Sequence, residues 1–299
     1  MRVLLLALPL ALPPGDGAAD KLYARAVQHA VERAQKELFA GVHFEVDHSV
    51  WDNPWVVTSA HYEVRTTHSY AQAAEISNGL ELLYAEWTKL LGEGPAHAGL
   101  RRVWIFPGMA DYNKFGTEAG AEHSSLTGCF FSDKHAEQPV ATYQNGNPKL
   151  IAMWATHGAV HQYLLQRYGE QHLTWVDEGL AAYFALFWDW DFATHEFARI
   201  VRGPTYVPLE RLVSEPIQAY KIKPEDRFIE LGLLFRYLLN SCEATRNGAG
   251  GDPTTGPFQE FLRAAVRGQD VSETEFMQGF EEGAALLEED FKSFDFSKQ

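Results

Sequence analysis

The chain has few cysteines for its length. Cys129 and Cys242 are the two present among 299 residues. Their wide separation excludes a zinc site built from cysteine thiolates, which requires closely spaced pairs. In an oxidising compartment the two thiols could form one disulfide. Two separate buried thiols are the alternative, because the sequence does not reveal whether they approach each other.

Basic side chains are also scarce relative to acidic ones. The chain has 25 Lys and Arg against 40 Asp and Glu, which gives a net charge of −15. Such a surface repels nucleic acid and anionic membranes, so we expect neither as a partner. The sequence also lacks a Gly-rich phosphate loop after a strand and a G-x-S-x-G nucleophile elbow, which argues against those two classes of enzyme.

Beyond the N-terminus there is no apolar run long enough for a membrane helix. Residues 1–19 contain Arg2, the apolar run Val3–Leu12 and a small-residue ending at Ala18–Ala19. This pattern is typical of a secretory signal peptide and is too short to span a bilayer. A buried N-terminal segment is the alternative. We therefore expect a secreted or periplasmic protein, without a membrane span, whose mature chain begins at Asp20.

Turn residues divide the remaining sequence into helices and strands. Ser69 is placed to cap a helix over about 70–91, and Gly92 is placed to end it. Strands are predicted at 61–67, 101–106, 127–131 and 140–143, and helices at 20–38, 149–168, 173–187, 228–240, 257–267 and 272–293, with a loop-rich passage from 204 to 226. We predict an α/β lobe over about 20–170 and a helical lobe over about 171–299, within a single domain 20–299.

Two histidines, His157 and His161, stand four residues apart within one predicted helix. Residues at this spacing lie on the same helix face, where two imidazoles can bind one Zn²⁺. Glu178 follows 17 residues later at the start of a second helix and could supply a third ligand. Twelve histidines would give such a pair by chance about half the time, so two histidines at the edge of a core are the alternative.

The second helix carries the motif that makes the chain resemble a known family. Trp175, Glu178, Gly179, Ala181, Tyr183 and Phe184 match a W-x-x-E-G-x-A-x-Y-F pattern. With this match, the chain resembles the peptidase MA-like gluzincins, in particular a branch of secreted bacterial proteins, over roughly residues 60–295. The strand His61–Thr66, the strand Val103–Phe106 and the edge strand Ser124–Phe131 are similar too.

The resemblance implies an α+β, gluzincin-like fold in which a small mixed-sheet lobe with the active-site helix precedes a mainly helical C-terminal lobe. It implies Zn²⁺ held by His157, His161 and Glu178, with a peptide or protein as substrate or ligand. The family motif is H-E-x-x-H, in which the glutamate is the general base. Gly158 stands at that catalytic position, so the general base is missing. Asp177 and Glu170 are nearby carboxylates, and Asp177 is interpreted as a helix N-terminal charge pointing elsewhere.

A second catalytic position is altered as well. The family tends to have a Tyr, which stabilises the oxyanion, where Phe228 stands. Tyr220, Tyr206 and His195 remain as candidates for that role, although each can be structural, and Tyr183 is expected to pack between helices. Trp188 and Trp190 could form a sugar- or peptide-binding platform or could belong to the core.

Three functions follow from this sequence. The first is a zinc-binding, metallopeptidase-like protein with a degenerate H-G-A-V-H motif and impaired or absent hydrolysis. The second is an active zinc peptidase that uses zinc-bound water and an unidentified base. The third is a non-catalytic protein that binds peptide or glycan. The sequence does not indicate the substrate or the oligomeric state.

Overall fold

The computed structural model describes residues 47–92, 99–118, 129–130, 139–169, 173–215, 224–240, 256–269 and 284–298. The strands are β1 (Trp55–Thr58), β2 (Tyr62–Thr66), β3 (Arg101–Phe106), β4 (Cys129–Phe130) and β5 (Val140–Tyr143). The helices are α1 (Tyr70–Leu91), α2 (Met109–Glu118), α3 (Pro148–Tyr168), α4 (Thr174–Leu186), α5 (Trp190–Arg202), α6 (Leu209–Ser214), α7 (Pro224–Asn240), α8 (Pro257–Val266) and α9 (Ala284–Ser293), followed by a 3₁₀ turn at Phe296–Lys298.

The five described strands form one mixed sheet in the order β1-β2-β3-β5-β4. The central strands β2, β3 and β5 run parallel, and the two outer strands are antiparallel to their neighbours. Alternate residues of each strand face opposite sides of the sheet. Val64, Val103 and Val140 stand in register and are fully buried against the helices. The protein is therefore α+β, as the sequence predicts.

Helices α1 and α3 cover one face of the sheet, α1 beside β1 and β2, and α3 beside β3 and β5. Ser69 begins α1, because its hydroxyl accepts a hydrogen bond from the amide of Gln72 at 3.1 Å, and Gly92 ends the helix with a φ of 79°. A positive φ is readily adopted only by glycine, which explains the sharp stop. These two predicted boundaries are confirmed.

A smaller apolar cluster lies on the other face of the sheet. Phe106 and Ala141 point there from β3 and β5 and pack with Tyr112 of α2. Helix α2 was not predicted from the sequence. Strand β1 and helix α5 were not predicted either. The prediction of a loop-rich passage from 204 to 226 was wrong in part, because that passage contains α6 and the first residues of α7.

The helical part is built around α4, which packs between α3 and α7. Two glycines allow the close approach of α4 and α7. A Cβ atom at Gly179 would lie 2.0 Å from Cε2 of Phe235, and one at Gly232 would lie 2.5 Å from Cδ1 of Leu186. Within the described ranges, no helix combines the length and apolar character that crossing a bilayer requires.

Several predictions concern residues outside the described ranges. These are the signal peptide at 1–19, the helix at 20–38 and the first part of the helix at 272–293. Cys242 and the side chain of Cys129 are also outside, so the disulfide remains a prediction.

Candidate metal centre

Helices α3 and α4 bring the three predicted ligands together. Asn147 begins α3, because its side chain accepts hydrogen bonds from the amides of Lys149 and Leu150, and Pro148 is suited to the first helical position. About three turns further on, His157 and His161 project from one face of the helix, as their spacing requires.

The metal-binding atoms of the three side chains converge. Nε2 of His157 lies 3.1 Å from Nε2 of His161, and Oε2 of Glu178 lies 3.6 Å and 3.9 Å from those two nitrogens. In the plane of these three atoms, the point that is equidistant from them lies about 2.1 Å from each, which is the length of a Zn–N or Zn–O bond. Within the part of the chain that the structure describes, this is the one group of His, Cys, Asp or Glu with such geometry. The donor set and its spacing fit a divalent cation.

The charges of the three residues also favour a cation. Burial lowers the pKa of His157 well below its usual value, and the charge of His161 lowers it further. Burial acts in the same direction on His161, but the carboxylates of Asp177 and Glu178 outweigh it and raise its pKa to about 9. Burial raises the pKa of Glu178, while His161 opposes that shift. Without a metal, His161 is therefore positively charged at neutral pH, with a proton on each ring nitrogen, and a bound cation takes the place of the proton on Nε2.

Asp177 contacts one of the three predicted ligands, so its interpretation as only a helix N-terminal charge was wrong. Oδ2 of Asp177 lies 3.4 Å from Nδ1 of His161. Nδ1 is on the opposite side of the imidazole from Nε2, which faces the other ligands. Asp177 therefore sits behind the ligand, away from the point where the metal atom would lie.

The predicted catalytic positions have no groups that could transfer a proton. Gly158 is buried within α3 and has no side chain. The ring of Phe228, on α7, packs 5.4 Å from the ring of His157 and 5.1 Å from that of Trp154. A phenyl ring thus stands beside His157, where it provides apolar contact and no hydroxyl.

A tryptophan ties the two ligand-bearing helices together. The indole of Trp188, just after α4, donates a hydrogen bond from Nε1 to Oγ1 of Thr156 at 2.8 Å. Thr156 immediately precedes His157 and is fully buried. Trp188 also packs on α1, because a Cβ at Gly79 would lie 2.4 Å from its ring. Its role is therefore core packing rather than a binding platform.

The other aromatic and catalytic candidates lie in structural positions. Trp190 is half-buried under the guanidinium of Arg236. Tyr183 packs between helices as predicted, against Phe184 and Trp190. His195 is exposed on α5, with 85% of its side-chain surface accessible, and faces Glu196.

Tyr206 packs under the ammonium group of Lys292. Burial, together with the nearby charge of Glu288, raises the pKa of its hydroxyl. Tyr220 and Glu170 lie outside the described ranges. In the described part of the chain, the partners of His157, His161 and Glu178 in hydrogen bonds and ion pairs do not include Trp190, Tyr183, His195 or Tyr206.

A small open cleft lies next to Glu178. Thr174 and Glu178 border it from α4, Leu212 from α6, and Leu231 from α7. The space that it encloses is about 10 Å³, which is room for about one water molecule.

Comparisons of the chain with models of protein families and with curated proteins find no match. The arguments for function therefore come from the geometry and chemistry of this site.

Proposed function

We propose that this chain is a secreted, zinc-binding protein built like a metallopeptidase, with hydrolytic activity impaired or absent. The observation that carries the proposal is the convergence of His157, His161 and Glu178 around one point beside a residue, Gly158, that has no side chain. Two imidazoles and a carboxylate are a donor set typical of a zinc site with an open position. The gluzincin-like fold is part of this proposal.

The proposed chemistry follows from the residues around the ligands. Zinc, when bound, lowers the pKa of a coordinated water to about 7 and polarises a carbonyl. The chain holds the ion through three side chains but offers no group at position 158 to accept the proton of that water. Asp177 cannot substitute, because it lies on the Nδ1 side of His161. Loss of a positioned base reduces the rate by about 10²–10⁴.

The ligand proposed for this site is a peptide or protein segment. The cleft beside Glu178 is shallow, and its border includes the apolar side chains of Leu212 and Leu231, which a peptide lying over it could contact. The net charge of −15 argues against nucleic acid.

The metal site is tested by elemental analysis of the purified mature chain. We expect about one zinc per chain, which is lost in His157→Ala. A native chain that takes up no zinc, even when zinc is added, would show that this proposal is wrong.

Hydrolysis is tested with a peptide library and two matched variants. Gly158→Glu adds the missing base, and Gly158→Gln adds a side chain of the same size that cannot accept the proton. We expect cleavage by Gly158→Glu alone, about 10²–10⁴ faster than by the native chain. If the native chain cleaves efficiently and a chelator stops it, the active peptidase is the correct function. If Gly158→Glu binds zinc and peptides without cleaving them, the chain is a binding protein.

A further inference from the structure

We propose that Asp177 is a positioning residue that holds His161 in the tautomer and orientation required for metal binding. This inference rests on the proposed zinc site and adds to it a residue outside the three ligands. Oδ2 of Asp177 lies 3.4 Å from Nδ1 of His161. The other ring nitrogen, Nε2, faces Nε2 of His157 at 3.1 Å and Oε2 of Glu178 at 3.9 Å. The two nitrogens of His161 thus have separate partners.

The chemistry of imidazole gives this separation its meaning. A neutral histidine carries one proton, and only the nitrogen without it can bind a metal. A carboxylate at Nδ1 accepts that N–H, which leaves the lone pair on Nε2 directed at the convergence point. Carboxylates behind metal-binding histidines fix the ring in this way and make the other nitrogen more basic.

The position of Asp177 within α4 argues against a role in capping. Leu173 is the N-cap and Thr174 the first residue of the helix, so Asp177 is the fourth. The side chain of the N-cap makes no capping hydrogen bond. Its side chain is one-third exposed, whereas that of His161 is 16% exposed. An acidic residue in the first turn gains a little from the helix dipole at any rotamer. The dipole does not account for a carboxylate directed at Nδ1 of a ligand on the neighbouring helix.

Helix α4 therefore supplies both a ligand and the support for another. Glu178 and Asp177 are consecutive, so they project in different directions around the helix. One reaches the convergence point from the front, and the other reaches His161 from behind. Any shift of α4 relative to α3 would change both contacts together.

The first test measures zinc affinity by competition with a chromophoric chelator. Asp177→Asn removes the charge and Asp177→Ala removes both the charge and the acceptor. We expect zinc affinity to fall about 10–100-fold in both variants. Asp177→Glu, which keeps the carboxylate, should recover part of the loss. Asp191→Asn is the matched control, because Asp191 is an exposed acidic residue in the first turn of α5, and it should bind zinc like the native chain.

The second test reads the tautomer of His161 by ¹⁵N NMR of the zinc-loaded protein. The native chain should show protonated Nδ1 and coordinated Nε2, with the Nδ1 proton slow to exchange. In Asp177→Ala that proton should exchange faster. These signals would not change if Asp177 served only to stabilise the helix. Far-UV circular dichroism establishes whether each variant is folded. If Asp177→Ala is not folded, the same comparison can be made with Asp177→Asn, whose side chain is almost the same size as that of the native residue.

The outcomes separate this inference from the function on which it rests. If the native chain binds zinc and all Asp177 variants bind it within about twofold, the positioning role is wrong and the metal site stands. If the native chain binds no zinc, the metal site itself is wrong.

Discussion

Gly179 directly follows the ligand Glu178, and replacing it by alanine tests the packing that holds α4 in place. Gly→Ala within a helix ordinarily stabilises by about 1 kcal/mol, because alanine has the higher helix propensity. Here the added Cβ would lie 2.0 Å from Cε2 and 2.5 Å from Cδ2 of Phe235. No Cβ contact is tolerated at such distances, so the ring or the helix must move.

Phe235 has little room to give way. It is fully buried, and its ring packs edge-to-face against Trp175 at 5.6 Å and against Phe258 at 5.4 Å. Overpacking a core costs about 1–3 kcal/mol. With the upper value and the propensity gain of alanine, we expect Gly179→Ala to lose about 2 kcal/mol. In a chain of this size that corresponds to a fall in Tm of about 4–8 °C.

The assay is urea and thermal denaturation followed by circular dichroism, together with zinc affinity. Gly108→Ala is the control, because a Cβ there meets no atom within 4 Å. Phe235→Leu in the Gly179→Ala background should restore part of the stability, so the two effects should not be additive. Zinc affinity should fall with stability, since Glu178 moves with the helix. If Gly179→Ala is as stable as the native chain, the close approach of α4 and α7 is not as described.

Two further predictions concern charged side chains. Glu230 and Arg227 form a buried ion pair on α7, with 0% and 1% of their surfaces exposed. Glu230→Gln should therefore lower the free energy of unfolding, measured by urea denaturation, by about 3–5 kcal/mol. Glu225 is exposed, so Glu225→Gln should change it by less than about 0.5 kcal/mol. Burial raises the pKa of Glu81, but hydrogen bonds outweigh that effect and the net pKa is lowered. Among these bonds are two with His61, one from its ring and one from its backbone amide, at 2.7 Å each. A lowered carboxyl pKa stabilises the fold at pH values above the unfolded pKa of about 4.3, and this stabilisation is lost as the pH falls through the folded pKa. The difference in stability between the native chain and Glu81→Gln should therefore be largest near pH 7 and should shrink below about pH 4. A constant difference across that range would contradict the assignment.

The elements with clear stop and start residues could be predicted from the sequence. Ser69 and Gly92 bound α1, and Gly169 ends α3 with a φ of 81°. These are local effects of caps and glycine, which need no knowledge of the rest of the chain. The same is true of β3, whose predicted limits are those observed.

The missed elements had weaker or overlooked local signals. Helix α5 carries Ala193, Phe197 and Ile200 on one buried face, and the side chain of Asp189 caps it by accepting from the amide of Phe192. That spacing and that cap are readable from the sequence alone. Strand β1 has four residues and, among the described strands, pairs with β2 alone. Four residues are too few for periodicity to identify a strand.

The ligands of the candidate metal centre could be predicted from the sequence, whereas the residues that pack around those ligands could not. The spacing of His157 and His161 fixes their common face, because it depends on helix geometry alone. The contact of Asp177 with His161 depends on how α3 and α4 pack, which no local pattern encodes. The same holds for the ring of Phe228 beside His157.

Trp154 gives the site an optical reporter of its own. Its indole stands 5.8 Å from the imidazole of His157 and nearly perpendicular to it. A paramagnetic ion such as Co²⁺ bound there would quench the emission of this indole through proximity. Occupancy could then be followed by fluorescence in unlabelled protein, and Trp154→Phe would remove the contribution of this indole to the quenching.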